Sequence, residues 1–312
     1  TSGLDIENRI NLTYFGDELI EESFDQNVEI RYDATNYNYQ TINSLNINPI
    51  SVFVRTKNNR DELIVVSKSD IVLPEDCSGF LSDSGVVNLY TENFNTNLTT
   101  NMSNMFANAN KLQTFGYDGE ITFDTSNATN MLNMFKGTKL SIETYQNLIN
   151  NMNTKNVTNM EGMFAGISTN GEINLNKLNT SNVTTMKDMF WGSNITSIDL
   201  SNLNLSNITT MYAMFYGCYE LTSAQMTYQK TPEMTSNGIS YMFKNCTKLV
   251  GGNGTKVSST DTTNARIDNL SQAGYFTDKT LKSHKFIKET YYRINTIHNN
   301  TQNLFFITFT SL

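Results

Sequence analysis

Hydrophobic residues recur along most of the chain in one short pattern, and this pattern predicts the architecture. The segment 182–190 reads Asn-Val-Thr-Thr-Met-Lys-Asp-Met-Phe, with apolar side chains at Val183, Met186, Met189 and Phe190. Its copies close on phenylalanines that follow one another along the chain, namely Phe80 (a remnant), Phe106, Phe135, Phe164, Phe190, Phe215 and Phe243. Successive phenylalanines are 25 to 29 residues apart. A repeat of this length is typical of a solenoid.

Within each copy the residue types predict a short helix with its own start and stop. Thr184 is a good N-cap, because a threonine oxygen accepts a hydrogen bond from the first turn. Met186, Met189 and Phe190 are spaced so that they would share one helix face. Gly192 favours the left-handed conformation that ends a helix. We therefore expect a helix of about two turns in every repeat.

A strand is predicted after each helix. Residues 195–200 read Ile-Thr-Ser-Ile-Asp-Leu and align with 221–226, which read Leu-Thr-Ser-Ala-Gln-Met. The same place is filled by residues 87–89, 121–123 and 173–175. Alternating apolar and polar residues indicate a strand with one buried face, whereas residues 138–153 lack a clean strand. The predicted fold class is an α+β repeat, a solenoid of strand–turn–short helix units.

The repeats divide the chain into three predicted parts, residues 1–68, 69–277 and 278–312. The first part is expected to be β-rich, with strands at 10–15 and 28–32 and a hairpin of 51–55 with 62–67. Residues 17–24 are an alternative short acidic helix. This region serves either as a cap on the open end of the solenoid or as an attachment region.

The last part, residues 278–312, lacks the repeat motif and ends in an apolar run from 304 to 312. One interpretation is a β-strand that pairs with the N-terminal region or with a neighbouring subunit. The other is a partly disordered, sticky tail. In either case it is a candidate for an assembly contact.

The negative net charge argues against two classes of binding partner, nucleic acids and anionic membranes. The net charge is −8 and the pI is about 4.9, so binding to nucleic acid or to an anionic membrane surface is not expected. No apolar run approaches the roughly 20 residues that cross a bilayer. The chain begins without Met and no signal peptide is visible, so we interpret it as a processed form or a fragment.

Catalytic residues, a metal site and cofactors are all predicted to be absent. His284 and His298 are the only histidines, and both lie far along the chain from the cysteines Cys77, Cys218 and Cys246. Their spacing does not match a zinc site. Cys218 and Cys246 occupy equivalent places in adjacent repeats, where they either form a disulfide or serve as small buried residues.

The polar residue at the centre of each predicted strand is the candidate for binding a partner. These residues are expected to line one column on the exposed face of the sheet, and they are Asn88, Thr122, Asn174, Asp199 and Gln225. Repeat proteins use such surfaces for recognition. The alternative is that they are ordinary solvated strand residues.

The motif Asn-Val-Thr-x-Met-x-x-Met-Phe-x-Gly, followed by Leu-x-x-Ile-Asp-Leu, resembles the BspA-type leucine-rich repeats. More narrowly it resembles their Met-x-x-Met-Phe subclass, a domain of unknown function found in surface proteins of mycoplasmas, lactic bacteria and gut bacteria, and in their phages. The segments 265–268 and 274–277 resemble the end of such an array. The resemblance covers about residues 69–277 and implies a right-handed leucine-rich-repeat-like solenoid on a cell or virion surface, with a role in adhesion.

These observations lead to two hypotheses. We expect a non-enzymatic, surface-exposed protein that recognises a protein or glycan on another cell or particle through the solenoid face. The alternative is a structural component of a larger assembly, such as a phage fibre, a decoration protein or a surface-layer protein, in which the terminal regions make subunit contacts. The expected location is extracellular or on a cell surface, or alternatively on a virion.

Overall fold

The computed structural model describes residues 10–15, 50–57, 60–67, 71–89, 94–116, 123–227, 236–257, 265–266 and 273–279. The strands are β1 (Ile10–Phe15), β2 (Ile50–Lys57), β3 (Arg60–Ser67), β4 (Ile71–Val72), β5 (Val86–Leu89), β6 (Phe94–Asn95), β7 (Thr114–Phe115), β8 (Glu172–Asn174), β9 (Ser197–Asp199), β10 (Ser223–Met226) and β11 (Thr277–Asp278). Within these ranges there is one α-helix, α1 (Ile142–Asn151), and one turn of 3-10 helix at Ser236–Ile239. The described chain is a mixed α/β structure with few helices.

Short parallel strands form most of the sheets. A five-stranded sheet has the order β2-β3-β1-β5-β7, and a four-stranded sheet has the order β11-β10-β9-β8. Strands β4 and β6 form a separate parallel pair. Only the β2–β3 pair is antiparallel among the described strands.

The strands predicted in the N-terminal region are confirmed at three places. β1 occupies the first predicted strand, and β2 and β3 form the predicted hairpin, with Lys57 opposite Arg60 at its turn. β1 pairs in parallel with both β3 and β5, so the N-terminal strands share a sheet with the first repeats. Predictions for residues 17–24, 28–32 and 280–312 lie outside the described residues. The domain boundaries after 68 and 277 stay predictions.

The copies that end at Phe106, Phe135, Phe164, Phe190, Phe215 and Phe243 lie side by side, and we call them the repeat stack. A series of parallel bridges links equivalent residues of neighbouring copies, in the order Asp76, Asn101, Asn130, Asn159, Thr185 and Thr210. The six phenylalanine rings stack in a buried column with centroids 5.2 to 5.9 Å apart. The core is therefore continuous from one repeat to the next.

The predicted helix within each repeat is wrong, because these residues form linked turns instead. In the copy that ends at Phe190, the N–H of Met189 bonds the carbonyl of Met186, three residues back, and Trp191 bonds Asp188 in the same way. The N–H groups between them bond the next repeat, as when Phe190 bonds the carbonyl of Met214 at 2.8 Å. In an α-helix, all of these backbone N–H groups would bond carbonyls of the same helix. Here every second donor joins two repeats.

Left-handed residues make this chain of turns possible. Asp188, with φ of 55°, is the third residue of the Met186–Met189 turn, and Gly192, with φ of 66°, is the third residue of the turn that the N–H of Ser193 closes with the carbonyl of Phe190. This is the position at which a type II turn needs positive φ, and Asn, Asp and Gly tolerate it best. Gly192 was thus correctly predicted to be left-handed, but it belongs to a turn and does not end a helix.

Polar side chains also connect the repeats. Thr184 is not an N-cap as predicted, since its hydroxyl donates 3.0 Å to the carbonyl of Thr158 in the preceding copy. Asn182 donates 2.7 Å to the carbonyl of Lys155. The Asn130 amide likewise donates to Asn101, at 3.2 Å. Asparagine and threonine side chains at equivalent places thus form ladders of hydrogen bonds along the repeat stack.

The first copy differs from its predicted boundary. The N–H of Leu81 bonds the carbonyl of Met105, just as the N–H of Phe106 bonds that of Met134. Leu81, which is 1% exposed, therefore takes the place of the repeat phenylalanine, and Phe80 does not. Cys77 occupies the place that the first Met of the motif takes in the next copy. Its N–H bonds the carbonyl of Asn101, just as the N–H of Met102 bonds the carbonyl of Asn130.

Helix α1 replaces a strand in the one repeat where the sequence lacks a strand pattern. Ser141 caps it by accepting a hydrogen bond from the N–H of Thr144 at 3.0 Å. The side-chain amide of Gln146 accepts from the N–H of Asn174 at 2.8 Å and donates to its carbonyl at 2.9 Å. The Gln146 side chain thus satisfies backbone hydrogen-bonding groups on the outer edge of β8, where no described strand pairs.

Candidate binding site

The predicted column of polar strand residues forms in part. Asn174, Asp199 and Gln225 lie opposite one another on β8, β9 and β10. Asn88 lies in the other sheet, opposite Thr114 of β7, and Thr122 lies outside the described residues. The structure therefore brings three of the five candidates together, and it places a fourth in a separate sheet.

Asp199 is in the predicted register but is buried, which corrects the expectation that the whole column is exposed. It is 2% exposed and accepts hydrogen bonds from Lys279, Ser201 and Asn176. Burial alone raises the pKa of Asp199, but these hydrogen bonds outweigh it and hold the pKa below its ordinary value. The carboxylate is an internal link between strands and the terminal segment.

The other two members of the column, Asn174 and Gln225, differ in their side-chain hydrogen bonds. The side-chain oxygen of Asn174 accepts a hydrogen bond from the N–H of Asn176 at 2.9 Å. The half-buried side chain of Gln225 makes no side-chain hydrogen bond to a described residue. Among the described residues, Gln225 is thus the member of the column whose side-chain amide has no hydrogen-bond partner.

A second surface, which the strand pattern did not indicate, lies on the turns of the repeat stack. The indole of Trp191 stacks on the ring of Tyr216 in the next repeat, with centroids 6.2 Å apart and an angle of 15°. Tyr212 meets Tyr241 edge to face at 5.6 Å. The ammonium of Lys244 lies 4.7 Å from the Tyr241 ring centroid and 5.8 Å from that of Tyr216. We call these five residues the aromatic cluster.

The cluster is partly exposed, with Tyr212, Tyr216 and Lys244 half-buried, whereas the repeat phenylalanines are buried. Trp191 is 47% exposed and Tyr241 is 38% exposed. Neither the indole N–H nor the three tyrosine hydroxyls of the cluster hydrogen-bond to a residue that the structure describes. The sequence carries a signal for this surface. The residue after the repeat phenylalanine is Ala165 one copy earlier but Trp191 and Tyr216 here.

Charged residues border the aromatic cluster on the side of the preceding repeats. Lys187 bonds Glu161 at 2.6 Å and lies 3.4 Å from Asp188. The hydrogen bond to Glu161 raises the pKa of Lys187. Burial raises the pKa of Asp188 against the opposing charges of Lys187 and Lys136. The border therefore contains two ammonium groups and two carboxylates close together.

The cysteines form no disulfide and are buried. The thiol of Cys218 donates to the carbonyl of Phe190 at 3.0 Å, and that of Cys246 donates to Phe215 at 2.9 Å. The neighbouring Cys218 and burial both raise the pKa of the Cys246 thiol. Ser193 makes the same bond to Phe164 one repeat earlier, so these thiols occupy a structural position. The interpretation as small buried residues is confirmed.

The described residues contain neither a metal-binding cluster nor a membrane-spanning helix. In that part of the chain, no three His, Cys, Asp or Glu side chains converge to hold a metal ion. None of the helices described has the length and apolarity needed to cross a membrane. Both histidines fall at positions that the structure does not describe.

Comparison with known proteins identifies a family. The family model described as Mycoplasma protein of unknown function, DUF285, matches residues 53–164 and again residues 140–256. No curated protein and no solved structure matches the chain significantly. The two matches together span more than half of the chain and include most of the repeat stack. The chain therefore belongs to the BspA-like repeat family described as Mycoplasma protein of unknown function, DUF285.

Proposed function

We propose that the chain is a non-enzymatic binding or adhesion protein of a cell surface or virion surface. Its partner is a protein or glycan on another cell or particle. The observation that carries the proposal is the exposed aromatic cluster on a stack whose repeat methionines and phenylalanines are otherwise buried. Exposed tyrosine and tryptophan are costly for a surface without a partner and are enriched where proteins recognise ligands.

We also propose a specific architecture for the repeat stack. We interpret the repeat stack as a right-handed leucine-rich-repeat-like solenoid of the Met-x-x-Met-Phe subclass. The parallel bridges between successive copies and the column of phenylalanine rings support this interpretation. A rigid stack of this kind holds surface residues at fixed spacing, and it loses little entropy when it binds a partner.

The proposal that the chain is not an enzyme is supported by the state of its thiols. A nucleophilic cysteine needs an accessible thiolate with a low pKa. Burial raises the pKa of Cys77, and Cys246 has a raised pKa as well. Both thiols also donate hydrogen bonds to backbone carbonyls. These cysteines are suited to packing and not to catalysis.

The binding test uses the full chain, labelled with a fluorophore, on printed arrays of glycans and of extracellular proteins. Two variants assign the face that binds, Asn174→Ala with Gln225→Ala on the strand face and Trp191→Ala on the turn face. We expect binding that the turn-face variant removes. A monomeric chain that binds no member of either array would contradict the function.

One observation favours the alternative, a structural component of an assembly. β2 is eight residues long, and no described strand pairs with its outer edge. Such an edge is a template for pairing with another chain. Light scattering after size exclusion decides between the two: a stable oligomer at micromolar concentration favours assembly, and a monomer argues against it.

A further inference from the structure

We propose that the free face of the Trp191 indole is the floor of a subsite for a single neutral pyranose ring of a glycan. This inference rests on the proposed binding function, and it names both the ligand class and the position. Tyr216 covers one face of the indole. No other described ring or ammonium group stacks on Trp191, which remains 47% exposed.

The space beside that face is bordered by only a small side chain in the neighbouring repeat. The backbone bonds from Gly166 to Trp191 and from Gly137 to Ala165 place Lys136, Ala165 and Trp191 in successive repeats. Ala165 is therefore the residue between Lys136 and Trp191 in this series, and it is 3% exposed. Adjacent repeats are 5.9 and 5.5 Å apart at their phenylalanine rings. Because Ala165 is a small residue at the place where the next two repeats carry Trp191 and Tyr216, the indole has no described aromatic partner on this side.

The edge of this space is polar, and its charges balance. Asp188 lies in the same turn as Trp191, near enough to Lys136 to feel its charge. Lys187 pairs with both Asp188 and Glu161. Two cations next to two carboxylates do not favour a ligand of net charge, which argues against an acidic sugar or a phosphate.

A pyranose matches these features better than an apolar side chain of a protein does. Its faces present C–H groups to the electron-rich face of the indole, and its rim presents hydroxyl groups. An apolar group laid on Trp191 would desolvate the half-buried Asp188 and offer no hydrogen bond in return. A sugar hydroxyl beside the ring donates that bond to the carboxylate.

The extent of the surface also favours a sugar. The aromatic cluster spans three repeats, and a stable protein interface buries about 800 Å² on each partner. One or two sugar units cover the indole and its border. Weak binding at each subsite is then strengthened when several copies of the protein engage one polysaccharide.

Trp191 is the only tryptophan in the chain, so its fluorescence reports directly on this site. The experiment titrates the full chain with neutral oligosaccharides of glucose, galactose, mannose and N-acetylglucosamine. We expect one of these sugars to cause a saturable change in emission and to protect the indole from acrylamide quenching. If none of the four changes the emission or the quenching, the subsite proposal is wrong.

Calorimetry with the sugar that binds separates this subsite from binding elsewhere. We expect Trp191→Ala to weaken affinity by about tenfold or more, and Trp191→Phe, which keeps a ring face, to weaken it less. Asp188→Asn tolerates the left-handed backbone and removes the charge, so it should weaken affinity by a smaller factor. The control Leu98→Ala removes an apolar side chain that is 58% exposed and lies far along the stack, and it should leave the affinity unchanged.

The outcomes keep the two proposals distinct. If the chain binds a glycan and Trp191→Ala binds it equally well, the subsite is wrong and the binding function stands. If the array shows only protein partners, and Trp191→Ala abolishes that binding, the surface is right and the ligand class is wrong. If neither array shows any binding, both proposals fail.

Discussion

Glycine and asparagine at the left-handed places of the turns carry much of the local information in each repeat. Their spacing was visible in the sequence, and the left-handed conformation of Gly192 was predicted from it. The helix was wrong because Met-x-x-Met-Phe has the spacing of a helix face as well as that of linked turns. Asp188, with its positive φ inside the motif, distinguishes the two, since such a residue is rare in a helix.

A pair of glycine substitutions tests the turns. A side chain at Gly192, with φ of 66°, would meet no atom within 4 Å, whereas a Cβ at Gly162 would lie 2.1 Å from Oδ1 of Asn133. We expect Gly192→Ala to lower the free energy of unfolding by about 1 kcal/mol, from backbone strain alone. Gly162→Ala should cost about 1–2 kcal/mol more, because the Asn133 amide must move. Urea unfolding measures both, and equal losses would contradict the structure.

Buried threonines give a second residue-scale prediction. Thr154 is 1% exposed; its hydroxyl donates 2.9 Å to the carbonyl of Asn179 and accepts 2.8 Å from its N–H. Thr154→Val keeps the shape and leaves both backbone groups unpaired, so it should cost about 1–3 kcal/mol. Thr158→Val is the matched control, because Thr158 is exposed and water can replace its bond to Thr129. A loss at Thr158 as large as that at Thr154 would show that burial does not control the effect.

At the scale of elements, strands were predicted more accurately than helices. β8, β9 and β10 lie where alternation of apolar and polar residues placed them. The pattern also indicated that residues 138–153 lack a strand, and α1 lies there. Its hydrogen bonds through Gln146 to the edge of β8 could not be predicted, because they depend on a contact 28 residues away.

The Gln146 contact is testable by hydrogen exchange. Gln146→Ala removes the acceptor of the Asn174 N–H at the edge of β8, so this amide should exchange about tenfold faster or more. Glu143→Gln, on an exposed part of the same helix, is the control and should leave Asn174 unchanged. An unaltered exchange rate in Gln146→Ala would mean that the side chain does not close this edge in solution.

At the scale of the whole molecule, the length of the repeat predicted a stack with a continuous core, and the stacked phenylalanines agree with it. The predicted column of polar residues was only partly correct. α1 lies between β7 and β8 along the chain, so Asn88 and Asn174 belong to different sheets. Asp199 was predicted to be exposed because a strand pattern identifies a face and does not say what covers it. Lys279, from beyond the last repeat, is bound to it.

The buried carboxylate of Asp199 makes the free energy of unfolding depend on pH. Its pKa is lower in the folded protein than the ordinary value near 3.9, so the stabilisation is complete above about pH 5 and is lost as pH falls through the folded pKa. Asp199→Asn should lower the free energy of unfolding by about 1–3 kcal/mol at pH 7, with the difference shrinking below about pH 4. Glu172→Gln, at an exposed position of β8, is the control. A difference that stays constant from pH 7 to 3 would contradict the assignment.

The aromatic cluster on the turn face is the central functional claim, and one comparison tests it most directly. The affinity of the full chain for the strongest binder on the glycan array is measured for the wild type, Trp191→Ala and Leu98→Ala, after equal thermal stability has been verified. The account predicts that Trp191→Ala loses about tenfold or more, whereas Leu98→Ala retains wild-type affinity. Equal affinity in all three proteins would contradict it.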